Sequence, residues 1–148
     1  MTGHQAKPFR NRSLPLLQEI ITESIQATDL RHFTLIGASV TDHPQFDAIC
    51  RTLLEQHCTF TVPSVRIDTI TSATADLLLR GGMRTVAIAP ETGSDSLRKR
   101  MNKRLTNAQI LHGCEILKAT GIPNLKLYFL YGLPFETPAD ADAIPQLS

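Results

Sequence analysis

Four short apolar runs, separated by stretches with helical periodicity, constrain the fold of this chain more than any other feature. The runs are rich in β-branched residues and almost continuously apolar, which is typical of parallel strands covered on both faces. They begin at positions 33, 59, 84 and 125, so the spacings of 26, 25 and 41 residues leave room for a helix between successive strands. The predicted strands are Phe33–Gly37, Thr59–Pro63, Arg84–Pro90 and Leu125–Tyr131.

The intervening stretches carry apolar residues three and four positions apart, the pattern of an amphipathic helix. Helix-end signals accompany them: Thr106 and Gln109 have the spacing of a capping box, and Gly121 follows the same helix. Ser72 is expected to cap a short helix. A terminal helix is expected to begin near Pro138 and to be stopped early by Pro145. The three apolar stripes are Leu14, Leu17, Ile21 and Ile25; Phe46, Ile49, Cys50, Leu53 and Leu54; and Ile110, Leu111, Cys114 and Leu117.

The alternation of helix and strand predicts an α/β protein built from right-handed β-α-β units around a parallel sheet. Four strands are too few for a closed barrel of about eight. Two architectures therefore fit the pattern, a small open sheet or an arc cut from a larger barrel. Residues 1–12 are expected to be poorly ordered, and residues 13–148 to form a single domain.

Composition bounds the function classes. The chain has 148 residues, 42% of them hydrophobic and 20% charged, with a net charge of +1, which excludes disorder and argues against a protein that coats nucleic acid. No apolar run approaches the roughly 18 residues of a membrane span, and the first residues do not form a signal peptide. Three cysteines are too few and too scattered for a disulfide scaffold. We therefore predict a cytoplasmic protein with no membrane or nucleic-acid partner.

Polar residues follow each predicted strand, which points to a small-molecule site because ligands of parallel α/β folds bind at the carboxyl ends of the strands. Arg66 directly follows a buried strand, and its anionic partner is Asp68, Glu91 or a ligand carboxylate. Glu91 either anchors its own turn or holds a ligand hydroxyl. Asp42 is expected to cap the next helix, and Glu136 to fix its own loop.

A basic segment from Ser96 to Arg104 contains five cations in nine residues. A solvated helix face is the simplest interpretation, and a phosphate-binding or partner surface is the alternative. The five histidines show no zinc-ligand spacing, and no phosphate loop or nucleophile elbow is present. Cys50 and Cys114 lie on apolar stripes and are expected in the core.

With its strand ends in view, the chain resembles the core of a radical S-adenosylmethionine (radical SAM) enzyme, in the branch often fused to cobalamin-binding domains. The resemblance covers about residues 8–147 and implies an arc of four β-α units from a partial TIM-type barrel, S-adenosylmethionine as cofactor and a [4Fe-4S] cluster. It rests on four segments that occur in that branch in this order. They are Ile36-Gly-Ala-Ser-Val-Thr-Asp-His-Pro44, Pro63-Ser-Val-Arg-Ile-Asp68, Ala89-Pro-Glu-Thr-Gly-Ser94 leading to Met101-Asn-Lys103, and Lys126-Leu-Tyr-Phe-Leu-Tyr-Gly-Leu-Pro-Phe-Glu-Thr137.

The resemblance also implies cofactor-binding roles at the second, third and fourth strands of that barrel. Ser39 lies where the family grips the amino group of the cofactor, although the glutamate of the family motif is absent here. Ser64 and Arg66 lie where residues meet the cofactor's ribose or carboxylate, and Glu91 and Ser94 lie near ribose and substrate.

At the fifth strand of the barrel the resemblance implies an adenine site. Tyr128, Leu130 and Gly132 match positions where backbone atoms and an apolar side chain cradle the adenine. Tyr128 stands where the family motif often has glycine, which departs from the pattern of close backbone approach.

One element of the family is missing from this chain. The three cysteines are 8 and 56 positions apart, not in the Cys-x-x-x-Cys-x-x-Cys loop that holds the cluster in the family. We therefore expect a fragment of a radical SAM core, inactive by itself and prone to self-association through open sheet edges. The alternatives are a non-catalytic module that binds a nucleotide-like ligand or a protein, and a small phosphate-binding domain built on the Glu91–Asp95 turn.

Overall fold

The computed structural model describes residues 10–37 and 39–147, so most of the segment predicted to be poorly ordered lies outside the described residues. Within them, six α-helices alternate with four strands. Two short 3-10 turns, Val40–Asp42 and Ile67–Thr69, follow the first two strands. The elements are α1 Leu14–Thr28, β1 His32–Thr34, α2 Phe46–Glu55, β2 Thr59–Thr61, α3 Ser72–Arg80, β3 Thr85–Glu91, α4 Asp95–Arg100, α5 Asn107–Thr120, β4 Asn124–Phe129 and α6 Pro138–Leu147.

All pairing among these strands is parallel, as predicted, but the strands form two separate two-stranded sheets, β1–β2 and β3–β4. The two sheets approach each other after β2, where the Val65 amide donates to the Ala87 carbonyl at 3.0 Å. Pro63 has no amide hydrogen to continue a ladder, and the chain turns into a 3-10 helix at Ile67. Because the backbone groups of Thr59 and Thr61 face β1, the missing amide hydrogen of Pro63 ends the β1–β2 ladder and keeps β2 three residues long.

The core lies between the strands and the helices packed against them. Phe60 and Leu53 are fully buried, and Val86 and Ile88 contribute from β3. The apolar stripes therefore face the core as expected, with one exception. Leu111 is 53% exposed, because the buried face of α5 is formed by its neighbours Ile110, Gly113 and Leu117.

Most helix-end predictions hold for the helix before β4. The capping box between Thr106 and Gln109 is present in both directions, and Gly121 ends the helix with φ 95° in the left-handed region. Thr71, not Ser72, caps α3, since its hydroxyl accepts the Thr74 amide at 3.1 Å.

Two further predictions about helix ends are wrong. Asp42 does not open α2: it lies in the 3-10 turn, and its carboxylate binds Ser39 and Arg66 instead of helix amides. Pro145 does not stop α6, which continues to Leu147. A proline lacks the amide that would donate to the carbonyl four residues earlier, and here the loss of this one bond does not end the helix.

Close backbone contacts at two glycines fix how the helices pack. A Cβ atom at Gly113 would lie 2.5 Å from the Ile67 side chain, so α5 touches the 3-10 turn after β2. A Cβ atom at Gly93 would lie 2.1 Å from the Ala143 carbonyl oxygen, so α6 lies directly on the turn after β3. Among the described residues, no helix is long and apolar enough to cross a membrane.

Candidate functional site

A cavity of about 580 Å³ opens where the chain leaves β1 and β2 and where the turn after α4 reaches β3. Its volume is in the range of about 300–1,000 Å³ that is usual for small-molecule sites. Both apolar and polar groups line it. The lining residues are Ile36, Gly37, Ser39, Val40, Thr41, Pro63, Ser64, Val65, Arg66, Ile67, Asp68, Ile88, Ala89, Asn102, Lys103, Arg104 and Leu105.

Three of the predicted cofactor-binding residues, Ser39, Ser64 and Arg66, line this cavity together. The Ser39 hydroxyl donates to Asp42 at 2.7 Å, and the Arg66 amide donates to the Thr41 hydroxyl at 3.2 Å. The second of these bonds joins the segment after β1 to the segment after β2. The strand-end positions chosen from the sequence thus converge for the first two strands.

Arg66 is held between two carboxylates. Its guanidinium pairs with Asp68 at 2.5 Å and with Asp42 at 3.1 Å, so the partner that the sequence left open is Asp68, joined by Asp42. The hydrogen bond to Asp68 and, to a smaller extent, the one to Asp42 raise the pKa of Arg66 above its ordinary value. Two carboxylates around one guanidinium leave one excess negative charge at this side of the cavity.

Glu91 ends β3 in the left-handed region, with φ 68°, and its carboxylate accepts a hydrogen bond from the Lys103 ammonium at 2.9 Å. Lys103 also donates to the Ala89 carbonyl. Glu91 therefore reaches the cavity through Lys103, which lines it. Sequence reasoning did not select Lys103 as a site residue, although it stands in the Met101-Asn-Lys103 segment that carried part of the resemblance.

Ser94, a predicted cofactor-binding residue, has a helix-capping role in the structure. Its hydroxyl accepts the Leu97 amide at 3.3 Å and so caps α4, and it is not among the residues that line the cavity. Hydrogen bonds from Ser94 and Thr137 lower the pKa of Asp140, which connects the start of α4 to the start of α6.

Tyr128, Leu130 and Gly132 lie along and beyond β4, and none of them is among the residues that line the cavity. The Leu130 amide donates to the Glu91 carbonyl at 2.8 Å, and Tyr128 and Leu130 are both about half exposed. Gly132 has φ 74°, and its amide donates to the Glu136 carboxylate at 2.6 Å. The predicted loop-fixing role of Glu136 is confirmed by this bond.

The basic segment is not a uniformly solvated face, which corrects the simplest reading of it. Arg98 is fully buried. Its Nε donates to the Leu105 carbonyl at 2.8 Å, and its other nitrogens bind the Thr92 carbonyl and the side chains of Asp95 and Asn107. Arg98 thus ties the turn after β3 to the turn that carries Lys103.

The cysteines do not match a cluster site. Cys50 and Cys58 are buried in the core, as predicted for Cys50, and burial raises the pKa of Cys50 to about 12. Cys114 is partly buried, and desolvation also raises its pKa. Across residues 10–37 and 39–147, no group of three or more His, Cys, Asp or Glu side chains could hold a metal ion. The residues described here therefore do not fit an iron–sulfur cluster.

Comparison with known proteins identifies the class to which this fold and cavity belong. The chain matches the Radical SAM superfamily over residues 2–147 and is a member of it. The predicted kinship to the branch associated with cobalamin-binding domains goes beyond this match and stays a prediction.

One relative and one solved structure are similar to this chain in sequence and in fold, respectively. An uncharacterized protein of Methanocaldococcus jannaschii, MJ0966, is 30% identical over 141 residues, which are 95% of this chain and 31% of that protein. Coproporphyrinogen III oxidase (HemN) from Escherichia coli, a radical SAM enzyme, has a similar structure with a TM-score of 0.65 and 17% identity. That alignment covers 88% of this chain and 32% of the other, and it shows a shared fold. The chain thus spans about a third of the length of these two proteins.

Proposed function

We propose that this chain forms part of the S-adenosylmethionine-binding wall of a radical SAM enzyme, with the cavity between β1, β2 and β3 as the cofactor site. The observation that carries the proposal is the convergence of Ser39, Ser64 and Arg66 on one cavity in a member of this superfamily. S-adenosylmethionine supplies the radical chemistry of the family when it is bound beside a reduced cluster.

The charges of the cavity support a zwitterionic cofactor with a further positive sulfonium centre. The excess negative charge of Asp42 and Asp68 around Arg66 suits the ammonium or sulfonium group. Arg66 is already hydrogen-bonded to Asp42 and Asp68. We therefore assign the carboxylate of the cofactor to Lys103, which also lines the cavity. Among residues 10–37 and 39–147, the Lys103 ammonium group donates to Glu91 and to the Ala89 carbonyl, which leaves its third hydrogen for a ligand.

The predicted roles on the β4 side extend this site. In our proposal Glu91 and Ser94 lie near the ribose and the substrate. The adenine contacts the half-exposed side chains of Tyr128 and Leu130 and the backbone of Gly132. The Leu130–Glu91 hydrogen bond supports this extension because it connects β4 to the cavity wall. The two sheets would then be neighbouring parts of one arc of a partial barrel, which the Val65–Ala87 hydrogen bond also supports.

The cluster is outside this proposal. The residues of this chain do not fit it, so we assign no reaction step to it and expect no cofactor cleavage by the chain alone. Anaerobic reconstitution with iron and sulfide should yield neither a four-iron absorption spectrum nor 5′-deoxyadenosine. Either product would overturn the expectation of inactivity.

Calorimetric titration of the 148-residue chain with S-adenosylmethionine tests the binding site. Asp68→Asn and Lys103→Met should each weaken binding by about tenfold, the effect of losing one charge-assisted hydrogen bond. Lys118→Met, an exposed lysine on α5 outside the cavity, is the matched control and should bind as the parent does. Equal affinity in all three variants would refute the cavity as the cofactor site.

A non-catalytic binding module is the second candidate, and the burial of the cysteines away from the cavity favours it. Titration with adenosine beside the titration with S-adenosylmethionine distinguishes this module from the cofactor-binding wall. A module for nucleotide-like ligands would bind adenosine as tightly as S-adenosylmethionine, since only the cofactor carries the methionine charges that Asp68 and Lys103 recognise.

A further inference from the structure

The basic side chains that line the cavity differ in how their charge is balanced. Arg66 is paired with Asp42 and Asp68, and Lys103 is paired with Glu91. Arg104 lines the same cavity but forms no hydrogen bond or ion pair with any described residue. Its guanidinium therefore offers a full set of donors to whatever enters the cavity.

The backbone that carries Arg104 is held firmly. After α4 ends, Asn102 turns the chain with φ 59°, and the Lys103 amide donates to the Arg98 carbonyl at 2.9 Å. The buried Arg98 side chain then binds the carbonyl of Leu105 at 2.8 Å. Hydrogen bonds on both sides of Arg104 thus fix its backbone while its side chain stays unpaired, so a ligand would have to order only the side chain.

We propose that Arg104 binds an anionic group, a carboxylate or a phosphate, of the substrate that meets S-adenosylmethionine in this cavity. This inference rests on the proposed function, because it takes the cofactor carboxylate to be held by Lys103. A guanidinium matches both anions with two parallel hydrogen bonds. The substrate class is therefore an anionic small molecule.

The test is a nuclear magnetic resonance titration of the 148-residue chain saturated with S-adenosylmethionine, following the backbone amides of Lys103 and Leu105. Succinate and inorganic phosphate are added separately to distinguish the two anion chemistries. We expect saturable shifts with one of them. Arg104→Gln should weaken that binding by about tenfold or more.

Lys99→Gln is the matched control, because Lys99 is an exposed cation in α4, close in sequence to Arg104 but outside the cavity lining. It should bind the anion as the parent does. The proposal is overturned if neither anion binds, if Arg104→Gln binds as tightly as the parent, or if both variants lose affinity equally. If the anion binds through Arg104 but S-adenosylmethionine does not bind at all, the anion site stands and the proposed function fails.

Discussion

The ammonium nitrogen of Lys103 lies 2.9 Å from a carboxylate oxygen of Glu91 and so joins the turn after α4 to the last residue of β3. Glu91 holds a positive φ that few residues other than glycine adopt without compensation. Both side chains are partly buried, at 24% and 31% exposure. The ion pair therefore helps to keep a strained strand end in the position where it borders the cavity.

A double-mutant cycle between Glu91→Gln and Lys103→Met should give a coupling free energy of about 0.5–1 kcal/mol, since the pair is only partly screened by solvent. Urea unfolding of the parent, both single variants and the double variant measures it. Fully additive effects would show that the two side chains do not interact in solution.

Arg98→Met should lower the free energy of unfolding by about 3 kcal/mol, because it leaves the buried carbonyl groups of Thr92 and Leu105 without their donor and removes the ion pair with Asp95. Lys99→Met, which changes an exposed neighbour in the same helix, should change stability by less than about 0.5 kcal/mol. Urea denaturation of both variants is the measurement. Equal stability of the two would mean that Arg98 does not hold the turns together.

Gly113→Ala should destabilise the protein by about 1 kcal/mol net. The new methyl group meets Ile67, at a packing cost of about 1–3 kcal/mol, while alanine improves helix propensity by about 1 kcal/mol. Ile67→Ala removes both contacting side-chain atoms, Cγ1 and Cδ1, and should recover part of the loss when combined with Gly113→Ala. Thermal unfolding of the two single variants and the double variant measures the recovery, and its absence would contradict the close contact.

The buried Cys50 thiol predicts a loss of stability at alkaline pH. Its pKa is about 12 in the folded protein against 9.0 for an unperturbed thiol, chiefly because of burial. The stabilisation is therefore complete below pH 9 and is lost as the pH rises toward 12, at no more than about 1.4 kcal/mol per pH unit. Urea unfolding of parent and Cys50→Ala from pH 8 to 11 should show a steeper decline in the parent. Parallel declines would exclude a contribution from Cys50.

Self-association through β4 is expected because this strand pairs on one side only among the described strands and exposes apolar residues. Sedimentation velocity should reveal a concentration-dependent increase in mass. Leu130→Lys should reduce this association. Leu30→Lys, the same substitution at a residue that is 65% exposed before β1, should not. A monomer at all concentrations would disprove this expectation.

Much of the fold could be predicted because its determinants are local. The apolar runs and the helical stripes are patterns within single segments, and the Thr106–Gln109 capping box needs only two residues of one turn. The resemblance to the radical SAM family selects Ser39, Ser64 and Arg66, and each also follows a strand, as expected when parallel strands place their carboxyl ends at one edge.

The remaining features depend on contacts between distant segments. The burial of Arg98 requires the carbonyl groups of Thr92 and Leu105, and nothing in the run of basic residues distinguishes Arg98 from Lys99. The role of Lys103 depends in the same way on Glu91. The separation into two sheets depends on how closely the backbone of the segment after β2 approaches β3, where Val65 donates to Ala87, and the apolar character of the runs does not reveal it.

The absence of a side chain at Gly93 ties the geometry of the cavity wall to the terminal helix. Since the Ala143 carbonyl occupies the space where a Cβ atom would stand, no other residue type fits at position 93 unless α6 moves away. Displacement of α6 would remove a direct packing contact of the turn that Arg98 and Asn107 also hold. This helix thus acts as a mechanical support for the turn that follows β3 and precedes the buried Arg98.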